Sequence, residues 1–190
     1  MKAVNNCRAI ILVLKPYSMD HDSSYPGEDQ TNVLSSNQAF RELFKEQIIT
    51  DERVFGCPTS LFNSDNNSGR PPDFEDALRP GECHWMLLRG QTAHSHAKMP
   101  LIIENSLNTS WPPRWDVSPL QGIRQRGQAW RGRQIIIGRN DGSVQLEKLR
   151  EDGTMDWHSP SNLGPDGKSW IDSLTPEQIA KLAYWDIEEK

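Results

Sequence analysis

Gln134-Ile135-Ile136-Ile137-Gly138-Arg139-Asn140-Asp141-Gly142-Ser143-Val144-Gln145-Leu146-Glu147-Lys148-Leu149 sets two short runs, Gln134 to Gly138 and Ser143 to Leu149, around a turn. Runs of this length, rich in β-branched residues and bounded by turn formers, predict strands. The Asp141-Gly142 pair supplies the positive φ values that a tight hairpin demands. Three consecutive isoleucines suit a central strand. Val144, Leu146 and Lys148 alternate against Gln145 and Glu147, which predicts a strand with one dry and one wet face. Two further runs, Trp85 to Leu88 and Leu101 to Glu104, bring the count to four strands after Glu82.

Upstream the period is helical. From Ala3 to about Lys15, Val4, Cys7, Ile11 and Leu14 form a stripe that Ile10 and Val13 widen, and Pro16 is expected to kink or end the helix. The polar stretch Met19 to Gln30 follows. Ser36 or Asn37 is the expected N-cap of a second helix carrying Phe40, Leu43 and Phe44 on one side. Val54-Phe55 reads as a brief extended piece, and Thr59 to Pro80 as a loop excursion. Near the end, Thr175-Pro176-Glu177-Gln178 combines an N-cap, an N1 proline and a capping-box partner. An apolar helix followed by an antiparallel meander is an α+β arrangement in which the helix covers one face of the sheet.

The chain has 190 residues, 35% of them hydrophobic, with 21 Lys and Arg against 26 Asp and Glu for a formal charge of -5. This balance argues against whole-chain disorder and against nucleic acid as a partner. The longest apolar run, Ala9 to Leu14, is too short for a membrane span or a signal core.

Several side-chain groups invite chemical readings. Glu82-x-His84 and His94-x-His96 have the residue types of a zinc site but lack HExxH or CxxC spacing. Asp20-His21-Asp22 lacks a nucleophile elbow and reads as a solvated turn. Asn63, Asp65, Asn67 and Gly69 alternate oxygen ligands as a calcium loop does, yet Gly69 falls one place late and Glu75 misses the twelfth position, so turn chemistry accounts for them better. Trp111-Pro112-Pro113-Arg114-Trp115 and Trp130 form either an aromatic platform facing a ligand such as a sugar or a corner whose rings fold back on the sheet.

The segment Asn5-Asn6-Cys7-Arg8-Ala9-Ile10-Ile11-Leu12-Val13-Leu14, followed by Tyr17, Asp20, Asp22 and Tyr25-Pro26, resembles the stretch after the membrane-inserting half of the first helix in type II secretion pseudopilins, particularly the prepilin-like proteins of Verrucomicrobia. Gln38 to Phe44, Phe55-Gly56-Cys57-Pro58, Gly81-Glu82 with His84-Trp85, and Ile135 to Ile137 before Asp141 to Val144 are similar to the same group. The likeness spans most of residues 1–149. It departs at Cys83, where a polar residue is expected, and before Met1, where no prepilin cleavage motif or membrane helix is present.

The resemblance implies one pilin-like domain over 1–190: the distal half of the pilin helix in 1–18, a helix- and loop-rich middle in 19–80, the sheet in 81–149, and a tail with a short helix in 150–190. It implies a non-enzymatic subunit of a type II secretion or type IV pilus-like filament, placed in the periplasm or at the cell surface. Other pilin-like subunits or the secretion machinery would be its partners, with membrane contact only through the missing helix. Rival readings are a secreted carbohydrate- or protein-binding module using Trp111 and Trp115, and a metal-dependent hydrolase using Glu82, His84 and His94. Calcium in the C-terminal sheet region, as major pseudopilins hold it, would fall to carboxylates such as Asp141, Asp152 or Asp156; no ligand set follows residue for residue. The extracytoplasmic setting also admits a disulfide, for which Cys7 and Cys57 are the expected pair, against the reading of the cysteines as small buried hydrophobes.

Overall fold

The computed structural model describes residues 1–28, 30 and 32–190; of the polar stretch Met19 to Gln30, Asp29 lies outside the described residues. Helix α1 spans Lys2–Asp20 and helix α2 spans Ser36–Lys45. Strands β1 (Trp85–Leu87), β2 (Pro100–Glu104), β3 (Gln134–Arg139) and β4 (Val144–Lys148) follow, and α3 (Pro176–Ala180) comes near the end. The strands pair antiparallel in the order β1-β2-β3-β4. The chain is therefore α+β, an N-terminal helix packed on a four-stranded antiparallel sheet, and β3 is central as its isoleucines predict.

Side chains alternate across a strand, so the register sorts the sheet into two faces. Leu87, Ile102, Gly138 and Val144 share one face, together with Trp85, Glu104, Ile136 and Leu146. Helix α1 lies on it, with Cys7, Ile10, Ile11 and Leu14 buried. The opposite face carries Met86, Ile103, Ile137 and Ile135, and the shared core reaches Trp157, Trp170 and Tyr184 of the tail. The last residues also run along the outer edge of β1: the Arg89 amide donates to the Ala183 carbonyl at 2.9 Å and the Trp185 amide to the Leu87 carbonyl at 2.9 Å. An edge covered in this way cannot template pairing with another chain.

Four local expectations need correction. Pro16 does not end α1, which runs on to Asp20. Pro16 and Leu12, whose carbonyl loses its partner, both lie on the exposed side, where the freed group is open to solvent. Val54-Phe55 is not extended but part of a 3-10 turn over Glu52–Phe55, started by Asp51 accepting the Arg53 amide. The hairpin has a three-residue loop in which Gly142 alone takes positive φ, at 87°, while Asp141 Oδ1 accepts the Ser143 amide at 2.9 Å.

The fourth correction concerns β4. Val144 is buried as expected, but Leu146 is half exposed and Glu147 is buried. Glu147 meets Arg139 at 2.6 Å beneath the tail, so the face read as wet is roofed at Glu147, while Gln145 stays exposed. Other boundaries differ by one residue: Ser35, not Ser36 or Asn37, caps α2 by accepting the Gln38 amide at 3.1 Å. At α3 the capping box of Thr175 and Gln178 forms as read.

Gly138 marks the closest approach of helix to sheet. A Cβ there would lie 2.9 Å from Cys7 Sγ and 2.9 Å from an Ile11 carbon, both on a helix held by the rest of the core. Gly138→Ala is expected to destabilise the fold by about 1–3 kcal/mol through overpacking, read as a lower urea midpoint at unchanged m-value.

Candidate functional site

A polar cluster sealed from solvent is built on Glu104, the last residue of β2. It lies on the α1-facing side in register with Trp85, and both Glu104 and its neighbour His84 are sealed from solvent. Past Ile103 the carboxylate takes over from the strand ladder, as Oε2 accepts the Ile136 amide of β3 at 2.8 Å. Arg124 Nη1 donates to Oε1 at 2.7 Å, and Trp130 Nε1 donates to both oxygens at 2.9 and 2.8 Å. The Arg124 guanidinium lies 4.3 Å from the Trp130 ring centroid and donates twice more to the Gln128 carbonyl. The loop 105–133 is thereby fastened to the sheet at its middle.

The protonation of His84 follows from its partners. Gly127 donates its amide to Asn105 Oδ1 at 2.7 Å, which fixes the Asn105 side-chain amide; its Nδ2 then donates to the His84 carbonyl at 3.0 Å and to His84 Nδ1 at 2.8 Å. Nδ1 is therefore the bare nitrogen, and Nε2 carries the proton that reaches Glu104 Oε1 at 3.0 Å. Burial pushes the imidazole below its ordinary value, in keeping with this neutral form. Burial alone would raise the Glu104 carboxyl, but the His84 hydrogen bond and the Arg124 charge overcome it and hold it below the usual range. The resulting centre is a carboxylate–guanidinium pair with a neutral histidine bound to it.

Cys57, His84 and Glu104 bring potential ligand atoms within 4.8 Å of one another. Arg124 Nη1 already serves this space, at 2.7 Å from Glu104 and 3.7 Å from Cys57 Sγ, so the cation of the group is a guanidinium. Burial, with Glu104 nearby, also raises the Cys57 thiol, which keeps it protonated. A protonated thiol beside a histidine whose lone pair faces Asn105 is a poor nucleophile.

The residues singled out by sequence fall elsewhere. Glu82 accepts the amides of Asp65 and Arg79. His94 meets Ser23 at 2.9 Å, and His96 Nδ1 accepts the Lys98 amide. Glu82, His84 and His94 thus do not converge. His21 stacks on Tyr17 at the end of α1. Trp115 is buried, its indole donating to the carbonyls of Glu104 and Asn105, and does not face a ligand. Trp111 packs against Trp157 and Trp170 with ring centroids 4.3 and 5.2 Å away, and Trp130 serves Glu104. Trp115 and Trp130 thus turn their indole N–H groups toward the end of β2, while Trp111 packs on rings of the tail.

The Cys7–Cys57 bond is not formed. All three cysteines are free and buried. Cys7 Sγ is directed at Gly138 of β3, whereas Cys57 Sγ faces Thr59 and Arg124. The carboxylates proposed for a C-terminal calcium loop do not fit one either. Asp141 pairs with Lys98 at 2.8 Å, Asp152 caps Thr154, and Asp156 pairs with Arg150. Each is spent on its own turn, and among the described residues none belongs to a group of three ligating atoms.

Near the first turn of α1, Met1, Val4, Pro58, Leu120, Ile136 and Leu146 line an open apolar groove of about 600 Å³. Farther along, Arg8, Leu12, Lys15, Pro16 and Met19 form an uncovered stripe at helical spacing, with Leu12 and Met19 68% and 82% exposed. Among the described residues no helix is long and apolar enough to cross a membrane.

Two outcomes test the Glu104 centre. Arg124→Met, which strands a buried carboxylate, is expected to lose about 3–5 kcal/mol, while Glu104→Leu/Arg124→Met loses markedly less than the sum of the single variants; urea denaturation of the four proteins measures both. Stability also falls in acid. Below the unfolded histidine value of 6.5 the unfolded chain takes a proton that folded His84 refuses, and below 4.5 unfolded Glu104 protonates before the folded carboxylate does. Thermal midpoints are expected to hold above pH 7 and to decline from about pH 6.5 downward, with a shallower first decline in His84→Gln.

Comparison with family models, with curated proteins and with solved structures returns no match for this chain.

Proposed function

We propose that the chain is a non-enzymatic, pilin-like structural subunit, related to those of type II secretion or type IV pilus-like filaments and working outside the cytoplasm beside other pilin-like subunits. The observation that carries this reading is the placement of the Asn5 to Leu14 segment. It forms the middle of α1, and α1 lies along a four-stranded antiparallel meander in the order that the resemblance implies. The remaining similar blocks surround that packing. Gln38 to Phe44 forms α2, Phe55 to Pro58 supports the N-terminal part of α1, and Asn6 Nδ2 donates to the Arg53 and Gly56 carbonyls at 3.2 and 3.0 Å.

The chemistry of the surface supports the same reading. The charge-rich interior is enclosed and works as a strut, while the outer stripe of α1 offers Leu12 between Arg8 and Lys15 and, a turn beyond Lys15, Met19. An exposed leucine flanked by cations, with a methionine one turn on, suits contact with an apolar surface on a neighbouring subunit that carries acidic groups opposite Arg8 and Lys15.

A photo-cross-linking residue placed at Leu12, and in a second protein at Met19, tests this in the native cell. Adducts with pilin-like chains or secretion components, recovered from the envelope fraction and identified by peptide mass spectrometry, are the expected result. Absence of adducts from both positions, or recovery of the protein in the cytoplasmic fraction, overturns the proposal.

A further inference from the structure

The loop excursion that begins after Pro58 folds back so that three carboxylates from distant segments meet. Glu52 comes from the 3-10 turn, Asp65 from the loop and Glu82 from the lead-in to β1, and one oxygen of each lies within 4.8 Å of the other two. Backbone amides hold them in place. Glu82 accepts from Asp65 and Arg79 at 3.3 and 2.7 Å, Asp65 accepts from Asn67 at 2.8 Å, and Glu52 Oε1 accepts from Leu78.

Among the described residues no cation answers them. The nearby Arg79 guanidinium is paired with Asp76, and among the described residues no Lys, Arg or His forms an ion pair with Glu52, Asp65 or Glu82. An independent observation is the second oxygen of Glu52. The residue is 1% exposed, and Oε2 is buried with no donor in hydrogen-bond geometry, the Asn66 amide standing near the carboxyl without completing a bond. The hydroxyl of Ser64, next to Asp65, is likewise buried and unpartnered. Buried carboxylate oxygens are almost always satisfied, so one without a full hydrogen bond among like charges is a place for a positive ligand.

The geometry points to a binding site for a hard divalent cation of the calcium kind at Glu52, Asp65 and Glu82. Oxygens bound to one calcium ion at about 2.3–2.6 Å stand no more than about 5 Å apart, which is the spread these three show. Second carboxylate oxygens and water complete the six to eight ligands that calcium takes. Of the Asn63, Asp65, Asn67 and Gly69 alternation only Asp65 belongs to the group; the other two carboxylates come from outside the loop. Burial, then the charges of Glu82 and Asp65, raise Glu52, while the Leu78 and Asn66 amides pull the other way. A bound cation relieves that repulsion and ties the turn before β1, the loop and the 3-10 turn together. The site does not depend on the filament reading.

Calorimetric titration of the chelator-treated protein with calcium chloride, with thermal melts in parallel, tests the assignment. Binding with a dissociation constant below about 1 mM and a higher thermal midpoint are expected. Asp65→Asn, at an exposed position that leaves the core intact, weakens binding at least about tenfold, and Glu52→Gln abolishes it. No calcium heat and no midpoint shift in the parent protein overturns the proposal, and so does binding that Asp65→Asn leaves unchanged. Should Glu52→Gln fail to fold, the Asp65→Asn comparison decides alone.

Discussion

The Glu104 carboxylate is the constraint from which the packing of the sheet follows. A carboxylate without solvent access survives as an anion only when a counter-charge and several donors surround it. Here they come from His84 ahead of β1, Arg124 and Trp130 in the loop 105–133, and the Ile136 amide of β3. Each donor fixes a segment that has little regular structure of its own. The same group also ends the β2–β3 ladder, because it takes an amide that a continuing strand would have used. Breaking it would free the loop, uncover Trp115 and unseat the start of β1 together.

The opposite face of the sheet repeats the device at a second buried arginine. Arg139 donates to Glu147 at 2.6 Å and to Asn162 at 2.9 Å, and Asn162 in turn donates to the Asp156 carbonyl at 2.9 Å. This polar link carries the tail across β3 and β4, while Trp157, Trp170 and Trp111 fill the space around it. A sheet so thin in aliphatic cover on one side is completed by aromatic rings whose large area compensates for their small number. Residues 150–190 are therefore part of the core, although their sequence carries no long apolar run.

What could be read from the sequence was local. The spacing of Cys7, Ile11 and Leu14, the Asp141-Gly142 turn and the Thr175 capping box each depend on residues within one or two turns, and each forms where expected. Glu104 could not be read in the same way, because its partners lie 20 to 32 positions away. One signal was present: a glutamate in alternation with Ile102 must point toward the dry face. Applied to β4, the same alternation misled, since Glu147 is dry only because Arg139 and a distant tail make it so. The cysteines failed for a related reason. Helical spacing places Cys7 on the buried face but not toward Cys57, and Gly138 is the partner that its thiol meets.

The Glu104 carboxylate and the partly buried group around Glu52 obey one rule with different means. At Glu104 the chain supplies its own cation, and the guanidinium is held so tightly by Gln128 and Trp130 that the pair is rigid and solvent-tight. At Glu52 only backbone amides are supplied, and these carry partial charge rather than the unit charge that three adjacent carboxylates require. Amides also stabilise an anion without closing the space in front of it. A guanidinium centre is permanent once folded, whereas a carboxylate cluster held by amides leaves its stability to an ion from solution. The loop excursion after Pro58, which has neither helix nor strand, is thus the part of the fold that the proposed ion would fasten.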